Sequence, residues 1–421
     1  MNIKKYKGCE KMNKILLEKY AELAVRVGVN LQKKQTLIIN ASVEVANLVR
    51  LIVKKAYEVG AKNVLVRWND QIVSKEWYLH AHDNVLETVE NWVVEQFKYV
   101  IDENAAVISI SSPNPGLLKD VPGNRLQKAN IASSKALDFY QKHMMASKSQ
   151  WLVIAAPNEI WSKKVFPDLS DEEAINKLWE AIFKASRVTV DNDPVEEWHH
   201  HMDQMSKHND ILNSHQFKSL HFKNNLGTDL IVDLVENHIW AGGRELTTQG
   251  IVFAPNIPTE ETFTMPHRLG VNGKVVSTKP LNFQGKLIED FHLIFKDGKV
   301  VDYDAKTEKE ALKNLLEMDE GSSRLGEVAL ISYSSPISDM NILFYNTLFD
   351  ENASCHLALG ASYPMNLKGG VQLSEEELKN KGGNVSLTHV DFMFGSRDMT
   401  ITGLKANGDK VIIFKEGNFV F

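Results

Sequence analysis

The chain has 421 residues, of which 43% are hydrophobic and 24% are charged, as in an ordinary globular protein of two or three domains. Its formal net charge is −6, with acidic and basic residues interspersed, which argues against binding to nucleic acid or to a membrane surface. No apolar run has membrane-spanning length, and the N-terminus lacks a signal-peptide pattern. Because Cys9 and Cys355 are too few for a disulfide framework, a cytoplasmic location is predicted.

The N-terminal half alternates between segments with strand character and segments with helical periodicity. The predicted strands are residues 36–40, 63–67, 105–110 and 151–155, and the predicted helices are residues 16–27, 43–59, 129–143 and 172–186. Strand–helix–strand alternation implies a parallel sheet. We therefore predict an α/β domain with a mostly parallel, doubly wound sheet over residues 1–205, with a polar extension before Met12.

This predicted domain carries no motif that would give it chemistry of its own. It has neither a Gly-x-Gly-x-x-Gly motif after the first strand nor a Walker-type loop. The consecutive histidines at 199–201 cannot converge on one ion from a helix, because neighbouring helical residues point in different directions. A linker helix is the better interpretation of that segment, and scaffold, substrate wall or dimer contact are the expected roles of the domain.

The C-terminal half changes to a period of two, which is typical of strands. Residues 291–303 predict a hairpin that turns at Asp297-Gly298, and residues 399–421 predict another around Asn407-Gly408. A further hairpin is expected from residue 220, with a helix at 307–318 and a strand at 328–332. Residues 206–421 are therefore predicted to form a mixed α+β, largely antiparallel domain.

Ionisable side chains in this second half are the candidate site residues. His389 and Asp391 alternate with Val390 and Phe392, so in a strand the two ionisable groups share one face. Burying such a pair costs several kcal/mol unless a partner or a cation compensates. Imidazole and carboxylate are a ligand set that zinc or a similar divalent ion accepts.

Two glutamates and a Glu–His pair add to these candidates. Glu261 opens a short segment bracketed by prolines, and Glu327 comes directly before an apolar strand. Taken alone, each of them is more often a solvated surface residue than a ligand. Glu351 and His356 are five residues apart, which is not a same-face helical spacing. They can converge only if Glu351 lies just outside the helix that contains His356.

The segments around these residues resemble the thermophilic-type metallo-aminopeptidases, the aminopeptidase T and aminopeptidase S group. The similarity begins near Met12 and rests on Asn-Ile-Pro-Thr-Glu-Glu261, Arg-Leu-Gly-Glu327, Asp-Glu351-Asn-Ala-Ser-Cys-His356 and His389-Val-Asp391-Phe-Met, in this order. The resemblance implies a homodimer, peptide substrates and two divalent ions per subunit. Zinc, cobalt and manganese are all compatible with a ligand set of oxygen and nitrogen atoms. The ligands it implies are Glu261, Glu327, Glu351, His356, His389 and Asp391, and Tyr363 matches the active-site tyrosine.

The chemistry of this donor set agrees with the resemblance. Four carboxylates and two imidazoles exceed what one catalytic zinc takes, and they suit two ions ~3.5–4 Å apart. Glu327, or as second choice Glu351, is expected to shuttle a proton to the leaving amine, and Tyr363 to donate a hydrogen bond to the oxyanion. The alternatives are a noncatalytic metal- or small-molecule-binding protein and a dimetal amidohydrolase of non-peptide amides.

Overall fold

The computed structural model describes residues 14–283 and 286–421. The extension predicted before Met12 and Cys9 lie outside the described residues. The described chain divides into two compact units. The first contains residues up to His201 together with Arg244–Pro258, and the second contains Met202–Gly243 and Thr259–Phe421.

The first unit is built on a parallel sheet. Its strands are β1 (Thr36–Ser42), β2 (Asn63–Asn69), β3 (Ala106–Ser111) and β4 (Trp151–Ala155). Their order is β2-β1-β3-β4, and every pairing is parallel. The predicted α/β class and parallel sheet are therefore confirmed. A short antiparallel pair, β7 (Glu245–Leu246) with β8 (Val252–Phe253), belongs to the same unit.

Helices precede, separate and follow these strands along the chain. They are α1 (residues 14–23, continued by a π-turn at Ala24–Gly28), α2 (Ala46–Glu58), α3 (Gln71–His80), α4 (Asp83–Leu86), α5 (Asn91–Asp102), α6 (Gly123–Ala136), α7 (Asp138–Met145), α8 (Glu159–Val165) and α9 (Asp171–Ala185). The single helix predicted over 129–143 is wrong. The chain leaves helical geometry at Leu137 (φ −109°, ψ 11°), where α6 ends and α7 begins.

Helix α10 (Pro194–His215) contains the three consecutive histidines. His199 and His200 are exposed, whereas His201 is buried. The three side chains thus do not share one environment, as expected for neighbours on a helix. The predicted helix is confirmed.

The second unit contains a large antiparallel sheet. Its strands are β5 (Ser219–Lys223), β6 (Asp229–Leu234), β10 (Pro266–Val276), β11 (Leu281–Phe283), β12 (Lys286–Lys296), β13 (Lys299–Thr307), β17 (Thr400–Leu404), β18 (Lys410–Lys415) and β19 (Asn418–Phe419). The order is β11-β12-β10-β6-β5-β17-β18-β19, with β13 on β12. The β12–β13 hairpin turns at Asp297-Gly298, both with positive φ, as a two-residue turn requires.

A smaller antiparallel sheet in the same unit carries the candidate residues. Its strands are β9 (Thr262–Thr264), β14 (Leu325–Leu330), β15 (His356–Gly360) and β16 (His389–Met393). They are ordered β16-β15-β14-β9. Besides residues 202–215 of α10 and short 3₁₀ turns, the unit contains the helices α11 (Lys309–Leu316), α12 (Thr347–Asp350) and α13 (Glu375–Asn380). The largely antiparallel character predicted for this half is confirmed.

None of the helices among residues 14–283 and 286–421 has the length and apolar character needed to cross a membrane.

Candidate metal centre

The two faces of the small sheet have opposite character. Directly opposed residues share a face, and β15 residue Ala358 is opposite both Glu327 on β14 and Asp391 on β16. His356 and His389 lie two residues before Ala358 and Asp391, so they project from the same face. The sheet therefore collects ionisable side chains from adjacent strands on one surface.

The other face of the same strands is part of the main apolar core of this unit. The alternate residues Val328, Leu330, Leu357, Leu359 and Phe392 are fully buried in that core. The alternation predicted for His389 and Asp391 against Val390 and Phe392 is thus present. Because a one-residue slip would exchange the two faces, burial of the apolar residues fixes the register that assembles the ionisable ones.

A β-bulge sets the direction of Glu327. The pairing shifts between Leu325, opposite Leu359, and Glu327, opposite Ala358, so Gly326 is the extra residue. In a regular strand Leu325 and Glu327 would share a face, but the bulge sends Leu325 to the core and Glu327 to the site. A Cβ on Gly326 would lie 2.1 Å from the Ala361 carbonyl oxygen, so only glycine fits. Glu327 thus lies inside β14. The prediction that it comes directly before the strand is wrong.

The ionisable side chains form two groups that share Glu327. In one, His356 Nε2 lies 3.3 Å from Glu261 Oε2 and 3.3 Å from Glu327 Oε1. In the other, His389 Nε2 lies 3.5 Å from Glu327 Oε2 and 3.4 Å from Asp391 Oδ1. Within each group the candidate ligand atoms all lie within 4.8 Å of one another. The two oxygens of Glu327 therefore face different groups.

Both imidazoles are oriented by backbone carbonyls. His356 Nδ1 is 2.9 Å from the Glu351 oxygen, and His389 Nδ1 is 2.7 Å from the Ala361 oxygen. If each Nδ1–H donates to its carbonyl, the neutral ring directs the Nε2 lone pair at carboxylate oxygens. Lone pairs facing lone pairs need a positive charge between them. The donor set therefore fits divalent cations, with Glu261, Glu327 and His356 on one side and Glu327, His389 and Asp391 on the other.

The acid–base properties of these groups show the same demand for positive charge. Burial alone would lower the pKa of His356 and His389, but the adjacent carboxylates raise both well above the ordinary value. Burial opposes ionisation of Glu327, yet hydrogen bonds from the two histidines, when these are protonated on Nε2 as well, hold its pKa to about 2. Burial and the neighbouring carboxylates raise the pKa of Glu261 despite its contact with His356.

Glu261 enters the site from the start of β9, where the backbone is tightly held. A Cβ on Gly242, whose φ is +147°, would lie 2.0 Å from the Glu261 carbonyl oxygen. The backbone N–H of Glu260 donates to Asn352 Oδ1 at 2.8 Å. Asn366 Nδ2 donates to the Phe263 carbonyl oxygen at 3.1 Å. Side chains that are distant in sequence thus hold the backbone before Glu261, at Glu260, and after it, at Phe263.

Glu351 lies beside the cluster but in neither of the two groups. It begins a 3₁₀ turn (Glu351–Ala353), and His356 begins strand β15, so the expectation of a helix containing His356 is wrong. The turn ends because Ser354 is extended (φ −167°, ψ 170°). Burial, then Glu261 and Asp391, raises the pKa of Glu351 well above its ordinary value, which places it within their electrostatic reach.

Tyr363 also borders the cluster. Its ring centroid lies 4.7 Å from that of His389 and 5.9 Å from that of Phe263. Burial, followed by the charges of Glu327 and Asp391, raises the pKa of the phenol well above its ordinary value. Tyr363 therefore keeps its O–H as a hydrogen-bond donor. Its predicted contact with an oxyanion stays a prediction.

Sequence reasoning missed the residues that shape the site without ionising. Ala358 and Ala329 are fully buried, and register places both on the site face of the sheet, where a larger side chain would fill the space between the ligands. The signal was available for Ala358, because a small residue follows His356 by two positions in a strand of leucines. Gly242 and Asn352 gave no such signal, since their contacts are long-range.

Comparison with known proteins places the chain among peptidases. Aminopeptidase 2 of Geobacillus stearothermophilus is 49% identical over 405 residues, which cover 96% of this chain and 98% of that protein. Aminopeptidase AmpS of Bacillus subtilis (strain 168) is 48% identical with the same coverage. The solved structure of wild-type AmpT from Thermus thermophilus matches with a TM-score of 0.91 at 38% identity, covering 97% of this chain and 100% of that one.

The donor set fits a metal-dependent enzyme, and the family match shows that this enzyme is a hydrolase. The sequence profile of the family described as thermophilic metalloprotease (M29) matches residues 13–419. The chain belongs to this family, and its curated relatives are named aminopeptidases. The family resemblance and the enzyme class expected from the sequence are therefore confirmed, and membership implies divalent metal ions.

Proposed function

We propose that this chain releases N-terminal residues from peptides and that it uses two divalent ions. The observation that carries the proposal is the position of Glu327, whose oxygens face separate groups that each contain an imidazole and a second carboxylate. Two ions bound there would lower the pKa of a water and polarise the scissile carbonyl. Zinc, cobalt and manganese all suit this oxygen and nitrogen donor set.

The chain's own residues supply binding and proton transfer. Glu261 and His356 would bind on one side of Glu327, and His389 and Asp391 on the other. Because both oxygens of Glu327 face these groups, we favour Glu351, the second choice from sequence, as the proton carrier. A carboxylate oxygen of Glu351 would accept a proton from the attacking water and deliver it to the leaving amine nitrogen.

The remaining groups of the site would hold the scissile carbonyl and the free α-amine of the substrate. The Tyr363 O–H would donate to the developing oxyanion. The free α-amine of the peptide would lie against a carboxylate or a metal ion, so peptides without a free amine would be poor substrates. A homodimer, a cytoplasmic location and the absence of a nucleic-acid partner stay predictions, which follow from the resemblance and from composition.

Metal stoichiometry and chelation test the proposal. The protein should bind two divalent ions per chain by elemental analysis, lose hydrolysis of aminoacyl amides in chelator, and recover it with zinc, cobalt or manganese. Acetylating the substrate's α-amine should abolish turnover. A chain that cleaves blocked amides equally well is the amidohydrolase alternative. Full activity after removal of all metal would exclude the metal-dependent mechanism itself.

A further inference from the structure

The carbonyls that orient the two imidazoles lie outside the strands of the small sheet. The first ligand group contains Glu261, Glu327 and His356, and the second contains Glu327, His389 and Asp391. The Glu351 carbonyl, which orients His356, belongs to the 3₁₀ turn after α12. The Ala361 carbonyl, which orients His389, follows the last residue of β15. Because strand pairing does not direct these two carbonyls, other contacts must hold the segments that carry them.

The turn that carries Glu351 is held by Asn352, which is fully buried. Asn352 Nδ2 donates to the Leu348 carbonyl oxygen in α12 at 3.0 Å. Its Oδ1 accepts the backbone N–H of Glu260, 92 residues away in sequence, at 2.8 Å. One amide thus ties the turn both to the preceding helix and to the residue before Glu261. Asn352 therefore links the carbonyl that orients the first imidazole to the segment that presents a carboxylate of the same group.

The segment that carries Ala361 is held by a second buried asparagine, Asn384. Asn384 Nδ2 donates to the Gly360 carbonyl oxygen at 2.7 Å and to the Gly321 carbonyl oxygen at 2.8 Å. The backbone N–H of Asn384 donates to Ser362 Oγ at 3.0 Å, and its carbonyl accepts the backbone N–H of Ser362 at 2.9 Å. Asn384 therefore fixes the residues on both sides of the carbonyl that orients the second imidazole.

The two asparagines act on separate parts of the site. The hydrogen bonds of Asn352 go to Leu348 and Glu260, and none of these partners is shared with Asn384. Neither amide contacts a carboxylate or imidazole of the ligand groups directly in these hydrogen bonds. A neutral amide can hold a backbone by donating and accepting without adding charge beside clustered carboxylates.

We propose that Asn352 and Asn384 are positioning residues, each for one ion: Asn352 for the first ligand group and Asn384 for the second. The inference rests on the two divalent ions proposed above. Groups that orient a ligating histidine typically contribute roughly 10–100-fold to metal affinity. Because the contacts of the two asparagines are separate, loss of either one weakens one ion and leaves the other in place.

Cobalt titration of the metal-free protein gives the first test. In Asn352→Ala and in Asn384→Ala, one Co²⁺ should bind at least about tenfold more weakly by calorimetry, and the other should keep its affinity within about twofold. The visible absorption of the remaining Co²⁺ should differ between the two variants, since different ligand groups hold it. A variant that weakens both ions equally, or neither, contradicts its assignment.

A crossed set of variants shows which ion each asparagine serves. Glu261→Gln impairs the first group and Asp391→Asn impairs the second. In the Glu261→Gln protein, Asn384→Ala should weaken the remaining Co²⁺ at least about tenfold, whereas Asn352→Ala should change it by less than about twofold. In the Asp391→Asn protein the two effects should be exchanged. The reverse pattern overturns the assignment, and if neither protein binds Co²⁺ the single asparagine variants decide.

Asn224→Ala is the matched control for the loss of a buried asparagine in the same unit. Asn224 Nδ2 donates to Ser396 Oγ at 3.0 Å, and its Oδ1 accepts the backbone N–H of Thr228 at 3.0 Å. This variant should lose stability to urea and still bind both ions as the wild type does. If it loses an ion, instability alone explains the other variants and the positioning roles are wrong.

Milder substitutions replace an alanine variant that does not fold. Asn352→Asp keeps an acceptor for the Glu260 N–H but loses the donor to Leu348, so it should weaken the first ion alone. Ser362→Ala removes one contact beside Ala361 and should weaken the second ion alone. Weakening of both ions by either one contradicts the proposal. Wild-type protein that binds fewer than two Co²⁺ contradicts the two-ion proposal, whereas two ions without selective weakening contradict only the roles of the asparagines.

Discussion

The parallel sheet of the first unit and the small β16-β15-β14-β9 sheet of the second are both made of short apolar strands, but they use their faces differently. Strand β1, in the interior of that sheet, is buried at nearly every position, so this strand is covered on both faces. The small sheet has one face in the core and covers the other with carboxylates and imidazoles. A strand covered on both faces can only support the fold, whereas a sheet with one polar face can position reacting groups.

The largest effect should follow from changing the residue that both ligand groups share. Glu327→Gln should reduce kcat by at least roughly 10³-fold, because metal-ion catalysis supplies several kcal/mol and each ~1.4 kcal/mol is tenfold. Metal content should fall while circular dichroism stays unchanged. Near-native turnover with two ions bound would remove Glu327 from both groups. Glu320→Gln is the control, because Glu320 is an exposed glutamate in an ion-pair cluster with Arg268 and Lys379.

Glu351→Gln should separate proton transfer from metal binding. Proton transfer by a positioned side chain contributes roughly 10²–10⁴-fold, so kcat should fall by about 10²-fold or more. The variant should keep two ions per chain, since Glu351 lies in neither ligand group. Loss of an ion in this variant would instead support the ligand role that the family resemblance implies for Glu351.

Ala358→Leu should damage the site face of the small sheet. The larger side chain would push Glu327 and Asp391 apart, and a displacement near 1 Å can cost roughly 10²-fold in rate. The overpacked sheet should also lose ~1–3 kcal/mol of stability. Metal titration and kcat/KM measure the first effect, and urea unfolding measures the second.

Leu357→Ala is the control for Ala358→Leu, because Leu357 is the neighbour on the core face of β15. It should cost ~2–5 kcal/mol of stability, as buried leucine truncations do, while the folded protein keeps its metal affinity. If both variants lose metal to the same extent, the two faces of the sheet are not functionally distinct.

Ile38→Ala in β1 should affect stability without affecting chemistry. Ile38 is buried in a small core cluster with Val100 and Val107, and its truncation should cost ~2–5 kcal/mol. Below its unfolding transition, kcat should stay within about twofold of wild type, because no ionisable ligand lies on that sheet. Ile38→Val, expected to cost ~0.5–1.5 kcal/mol, tests the size dependence. A fall in kcat at full folding would contradict a purely supporting role.

The smallest effect should come from a charge cluster on the surface. Hydrogen bonds from Lys379 and Arg324, with the charge of Arg268, lower the pKa of Glu320 from 4.5 to about 2, although partial burial opposes this. Because the folded pKa is the lower one, the stabilisation is complete above pH 4.5 and disappears as pH falls through about 2. The Glu320 side chain is 56% exposed, so solvent screening limits the contribution to ~0.5–1 kcal/mol.

Unfolding of the wild type and Glu320→Gln at several pH values measures this contribution. The wild type should be the more stable at pH 7, and the difference should shrink between pH 4.5 and 2. A difference that grows on acidification has the wrong sign for a carboxylate stabilised in its ionised form.

Local patterns were sufficient for most elements but not for all. Strand β4 falls on the predicted residues, and the Asp297-Gly298 turn is where its sequence requires it. Helices α3, α4 and α5 were not predicted. In α3 no residue is buried, so the amphipathic period that marks a packed helix is weak there. The break between α6 and α7 at Leu137 carries no Gly or Pro signal.

By itself the sequence determined the pairing of His389 with Asp391 on one strand face, because side-chain alternation along a strand is a local property. The other candidate ligands came from the resemblance of their motifs to a known family. Only the tertiary structure decided that Glu327 lies between two groups of candidate ligands, that Gly326 redirects it, that Ala358 leaves room beside it, and that Glu351 is in neither group. Those features depend on which strands become neighbours and in what register. That choice is made by burial of distant apolar residues, and it leaves no signature within a single segment.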